Sequence, residues 1–157
     1  MHALNSAWKN FYKVEISHYF RNLGQLMIFF FRIALFVGLA LTFFLSVVPQ
    51  PPMIPDQLSD KAQHALAFVT FTLLALGAYP RASSWKIFLW LGLVGVAIEG
   101  VQSLPGIERD PSAADVLVDF LAAGGTLLLI SSLRRLKLVG TEKSRRESAR
   151  EGLRNPD

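Results

Sequence analysis

Three short stretches of this sequence carry side chains whose types and spacing could do chemistry. "DKAQH" places Asp60, Lys61 and His64 within one helical turn, "EGVQ" places Glu99 and Gln102 three apart, and "RDPSAADVLVD" supplies Arg109, Asp115 and Asp119. A histidine beside a carboxylate can move protons as a general acid or base, here His64 with Glu99 or Asp115. The nitrogen and oxygen donors of His64, Glu99, Asp115 and Asp119 also suit a divalent metal, although no H-E-x-x-H or similar signature occurs. Lys61 and Arg109 could instead meet the phosphate or carboxylate of an anionic ligand. The chain has no cysteine, which excludes disulfides, thiolate metal sites and a cysteine nucleophile. His2 and His18 read more simply as surface or interfacial residues. Ser59, Ser103 and Ser112 have no triad spacing that singles out a nucleophile.

Helical phase groups these residues. Gly92, Gly95, Glu99 and Gln102 follow steps of three, four and three, which puts them on one face of a helix. The glycines on that face allow a neighbour to approach closely. Asp115, Asp119, Ala122 and Thr126 repeat the pattern at four, three and four, and Asp60 stacks on His64 with Ala67 below. Each polar stripe thus continues as small residues, as suits helices packed around a shared pocket.

The elements that must position these side chains are apolar. Of 157 residues, 52% are hydrophobic and 18% charged, and the mean hydropathy is +0.36. That excess is gathered in long blocks, the mark of a membrane-integral chain of one domain. The blocks cover about 27–48, broken by Arg32, then 62–79, 87–104 and 113–133, each near the roughly 20 residues a bilayer core requires. "PQPPMIP" ends the first, since proline cannot continue a helix. "PRASSWK" and "PGIERDPS" are short enough to tie the later blocks into hairpins. The expected fold is all-α: a polytopic bundle of four transmembrane helices in antiparallel hairpins. It divides into an N-terminal juxtamembrane segment (1–26), a transmembrane domain (27–133) and a basic tail (134–157).

Charge sets the orientation. All but Lys61 and Arg109 of the 16 basic residues lie in the N-terminal part (counting Arg32 of the first block with it), the "PRASSWK" loop and the tail, so the positive-inside rule places both termini in the cytoplasm. "SAWKNFYKVEISHYFRN" spaces aromatic and basic residues on separate faces, which predicts an amphipathic helix lying in the interface. The first apolar block is too long for the core of a signal peptide, and no small-x-small cleavage site follows it. The tail is charge-dense and poor in aromatics, so a solvated, loosely ordered end is expected. The net charge of +4 flanks apolar blocks without an aromatic-basic platform, so anionic lipid rather than nucleic acid is the expected partner.

On this topology Asp60, Lys61 and His64 open the second span, Glu99 and Gln102 close the third, and Asp115 and Asp119 open the fourth, all on the outer side. Asp119 would lie about 10 Å below the start of its helix at 1.5 Å per residue. A carboxylate facing lipid at mid-bilayer costs at least about 2.5–3.5 kcal/mol, so these acids must be neutralised, paired or hydrated in a pocket open outward.

"DKAQH" as D-K-x-x-H, "EGVQ" as E-x-x-Q, and Arg109 six residues before "DVLVD" resemble the VanZ-like family of small bacterial membrane proteins, whose founding member is associated with resistance to the glycopeptide teicoplanin. The resemblance covers about residues 59–128. It implies a polar site of Asp60, Lys61, His64, Glu99, Gln102, Arg109, Asp115 and Asp119, in a bacterial plasma membrane. The chain departs from the family pattern in "PGIER", where two residues precede Arg109. It departs again at Asp119, where asparagine is usual, and at Ala122 and Thr126, where glycine is usual. Three readings follow. The pocket holds the polar head of an anionic lipid-linked or cell-envelope precursor; or His64, Glu99 and Asp115 form an intramembrane enzyme acting on lipid, with or without a metal; or the network only specifies helix packing.

Overall fold

The computed structural model describes the backbone of residues 2–48, 60–107 and 111–154; the side chains of 2–15, 17, 60, 138, 139, 143, 144, 148–150 and 152–154 fall outside that description. Among the described residues the regular structure is entirely helical: α1 (His2–Val47), α2 (Asp60–Ala78), α3 (Ser84–Gln102) and α4 (Ala113–Arg154). All four are long and apolar enough to cross a membrane, over His18–Val47, Lys61–Ala78, Ser84–Gln102 and Ala113–Glu147. This is the build of a multi-pass membrane protein.

Length separates the helices into two kinds. α2 and α3 have 19 residues each, about 28 Å at 1.5 Å per residue, which matches the roughly 30 Å hydrocarbon core. α1 has 46 residues and α4 has 42, or about 69 and 63 Å, so each must run well past the core. α1 runs through residue 26 without interruption. One expectation changes here. The tail expected to be loosely ordered is helical as far as Arg154. Its composition explains this: Arg, Glu, Lys, Leu and Ala favour helix even in water, and Glu142 pairs with Arg146 one turn on.

Packing follows two reciprocal exchanges of ring for glycine. Phe31 of α1 lies over Gly77 of α2, while Phe71 of α2 lies over Gly38 of α1. Likewise Phe88 of α3 lies over Gly124 of α4, and Phe120 of α4 over Gly92 of α3. A side chain at any of these glycines would collide with or crowd a ring, so the absent Cβ lets each helix pair close. α2 packs most extensively on α4 and α1, and α3 on α4, whereas α2 and α3 touch only lightly despite their short loop. α4 is therefore flanked by α2 and α3. The core shared by the four helices holds Leu35, Phe68, Phe71, Ala75, Leu91, Ile98, Ala123 and Leu127.

Lipid-exposed surface elsewhere is apolar, including Phe29, Phe30, Ile33, Phe36, Leu41 and Phe44 along α1. Hydroxyls within the spans are satisfied by their own helix: Thr72 Oγ1 donates to Phe68 O at 2.6 Å and Thr126 Oγ1 to Ala122 O at 2.7 Å. Arg32, which interrupts the first apolar block, is also placed. Its Nε donates to Ala78 O at 3.2 Å, and its guanidinium lies 5.1 Å from the Tyr79 ring centroid. It thereby caps a carbonyl at the end of α2 that no helical donor reaches.

Candidate functional site

The polar residues of three helices converge on one buried cluster. His64 stands on the first turn-and-a-half of α2, Glu99 near the end of α3, and Asp115 and Asp119 on the first two turns of α4. Asp119 is fully buried and Asp115 is 3% exposed. Glu99 and Gln102 are each 8% exposed. Glycine makes room for them: a Cβ on Gly95 would sit 2.7 Å from Asp119 Oδ2 and 3.3 Å from the Phe68 ring. The α3 face of Gly92, Gly95, Glu99 and Gln102 is buried as a unit, together with Ile87, Leu91 and Ile98. On α4 the buried row below the acids is Ala123 and Leu127, with Ala122 and Thr126 half-buried. On α2, Phe68 and Phe71 take the buried positions below His64, and Ala67 is half-buried.

His64 is the centre of the cluster. Its Nδ1 lies 3.0 Å from Asp119 Oδ1, at hydrogen-bond distance, and an ionised Asp119 accepts there from the ring N–H. Its Nε2 lies 4.0 Å from Glu99 Oε1. In the neutral ring, donation from Nδ1 leaves the lone pair on Nε2, the atom facing Glu99. The other Glu99 oxygen, Oε2, accepts the backbone N–H of Ser112 at 2.7 Å. Ser112 O in turn accepts from Asp115 N at 2.9 Å, so Glu99 sits against the start of α4, where unsatisfied N–H groups favour negative charge. Sequence reasoning did not find this role of Ser112, because a backbone donor leaves no trace in residue type.

Among the described residues the acids of the cluster outnumber the lysines and arginines that reach them. Lys61 Nζ is 3.4 Å from Asp115 Oδ1 across the rim, and the lysine side chain is 58% exposed. Among the described residues, three buried oxygens have no hydrogen-bond partner: Glu99 Oε1, Asp115 Oδ1 and Asp119 Oδ2. The Lys61 contact is thus an ion pair without hydrogen-bond geometry, which leaves Asp115 Oδ1 incompletely satisfied. One donor atom each from His64, Glu99 and Asp115 lie within 4.8 Å of one another, a spacing that could take a metal ion. Asp119 lies behind His64 and outside that group, so the structure brings together three of the four candidate donors named from the sequence.

Beside the cluster lies a cleft of about 230 Å³, walled by Thr42, Leu45 and Ser46 of α1, Gln63, His64, Ala67 and Phe68 of α2, and Ile98 and Gln102 of α3. Among the described residues its polar lining is Thr42, Ser46, Gln63, His64 and Gln102, with no carboxylate, lysine or arginine, and its apolar walls suit hydrocarbon. Of the eight expected site residues, the structure brings together Lys61, His64, Glu99, Asp115 and Asp119, with Gln102 on the adjoining cleft. Arg109 and the Asp60 side chain lie outside the described residues.

Comparisons with models of protein families, with curated proteins and with solved structures gave no match for this chain.

Proposed function

We propose that this chain is a VanZ-like integral membrane protein that holds the polar head of an anionic lipid-linked or cell-envelope precursor in the site at His64. The observation that carries the reading is the cleft between α1, α2 and α3, which joins apolar walls to His64 and Gln102. A lipid entering from the membrane would keep its chain against Leu45, Phe68 and Ile98 while its head reached the glutamines and the histidine. Lys61, exposed at the rim, supplies the positive charge that meets a phosphate or carboxylate. Arg109 joins it on this reading as a second cation.

The proposed topology has four spans in antiparallel hairpins, with both termini in the cytoplasm of a bacterial plasma membrane. The register of Phe31 with Gly77 and Phe71 with Gly38 supports an antiparallel α1–α2 pair, and Phe88 with Gly124 and Phe120 with Gly92 does the same for α3–α4. The basic residues of the N-terminal part and tail support the orientation. The first turns of α1 would then lie at the inner interface as an amphipathic continuation of the span.

The test is to fill the cleft. Ala67→Phe should reduce the amount of anionic lipid that co-purifies with the protein while leaving it folded; undiminished lipid in a folded variant contradicts the reading. A second reading, an enzyme acting on a lipid, is favoured by one observation: the Asp119 carboxylate orients His64 with Nε2 toward Glu99, as an acid-base histidine requires. It predicts product formation from a candidate lipid that His64→Ala abolishes.

A further inference from the structure

The pairing of charges inside the cluster is incomplete in a specific way. With Nδ1–H donated to an ionised Asp119, a neutral His64 presents Nε2 as an acceptor. That acceptor confronts Glu99 Oε1 at 4.0 Å, and Glu99 Oε1 and Asp115 Oδ1 have no hydrogen-bond partner among the described residues. Two buried carboxylate oxygens from α3 and α4 thus face the His64 ring, and among the described residues neither accepts a hydrogen bond. In a low-dielectric interior such an arrangement is costly unless a proton or a metal cation lies among the donors. Lys61 is a poor candidate for that role, because it approaches Asp115 from the exposed rim and pairs with no other carboxylate of the cluster among the described contacts.

We propose that His64 Nε2, Glu99 Oε1 and a carboxylate oxygen of Asp115 bind a first-row divalent cation, with Asp119 as the positioning residue that orients His64. The spacing is close to what the ion needs. Donors about 2.0–2.1 Å from a tetrahedral ion stand about 3.4 Å apart; here they lie within 4.8 Å of one another, and binding draws them together. Two oxygens and one imidazole nitrogen are a donor set for zinc, manganese or ferrous ion rather than for calcium or magnesium. The Asp119–His64 contact is the carboxylate–histidine support that metal-bound imidazoles commonly have, fixing tautomer and ring plane. Glu99 is held in the same way from behind by Ser112 N–H. Three protein ligands leave coordination positions for a water or a ligand oxygen. His64 also walls the cleft, so a head group there would come within reach of the ion. The site itself does not depend on what the cleft holds.

The proposal is tested on the full-length, tag-free protein in lipid nanodiscs, loaded with Zn²⁺ or Mn²⁺, desalted and assayed for metal by mass spectrometry. The expected result is a single tightly held ion per chain, lost in His64→Ala, Glu99→Gln and Asp115→Asn. Asp119→Asn should weaken affinity by about 10–100-fold rather than abolish it, as for other outer carboxylates. Lys61→Ala should retain the ion or bind it more tightly, since lysine competes for Asp115. Should the ligand variants not fold, the wild type loaded with Co²⁺ decides: a visible ligand-field spectrum of mixed nitrogen and oxygen ligation is expected. A wild type that retains no ion, or an ion whose retention is unchanged in every ligand variant, overturns the proposal. So does a Co²⁺ spectrum identical to the aqueous ion.

Discussion

Two glycines five residues apart on α3 should respond to the same substitution in opposite directions. At Gly95 an added methyl would lie 2.7 Å from Asp119 Oδ2 and 3.3 Å from both Asp119 Cβ and Phe68 Cζ. Neither neighbour can give way freely. Asp119 is fully buried and bonded to His64, and Phe68 is 1% exposed within the core. Gly95→Ala must therefore push α3 from α4 or turn the Asp119 carboxylate off His64, and forcing a methylene into a packed core costs about 1–3 kcal/mol. At Gly100, nothing lies within 4 Å of the added methyl. There, replacing glycine by alanine within a helix gains up to about 1 kcal/mol. The two variants should differ by about 1–4 kcal/mol on these figures, measured by reversible unfolding in mixed micelles with tryptophan fluorescence. Equal stability of Gly95→Ala and Gly100→Ala would refute the close packing of α3 on Asp119.

Other substitutions probe the surroundings of the site. Arg32→Ala removes the bond to Ala78 O and the stacking on Tyr79, and should cost about 1–3 kcal/mol in the same unfolding assay; Arg32→Lys should recover part of it. Lys61→Ala breaks only a rim ion pair, so stability should change by less than about 1 kcal/mol while captured anionic lipid, measured by mass spectrometry, falls. Deleting residues 140–157 removes a helical end whose described side chains are exposed, and unfolding stability should stay within about 0.5 kcal/mol of the full chain.

Hydropathy and phase went far on this chain, but each has a physical limit. The apolar blocks at 62–79 and 87–104 lie within two or three residues of α2 and α3, because those helices are as long as the membrane is thick. The same reasoning understated α1 and α4, since hydropathy reports where lipid touches a helix and not where the helix stops. "RRLKLVGTEKSRRESAREGLR" has nothing to bury, yet contains little that breaks a helix. Phase placed Glu99 and Gln102 with Gly92 and Gly95, as the structure does. On α4 it followed Ala122 and Thr126, whereas the buried row runs through Ala123 and Leu127. A step of four and a step of three are both close to one turn, and only the position of the partner helix selects between them. The Ser112 N–H on Glu99 and the preference of α2 for α4 over α3 are tertiary facts, with no local signature. Arg32 was visible as an interruption, but its partner, a carbonyl on another helix, was not.

The claim that this pocket receives an anionic lipid head is tested most directly by identifying what the protein holds. Wild-type protein and Ala67→Phe would be extracted gently from membranes and their retained lipids compared without bias by mass spectrometry. The account predicts that one class of anionic lipid is enriched over bulk membrane on the wild type and falls to the bulk proportion on the filled cleft. A lipid profile that matches bulk membrane on both proteins would contradict it.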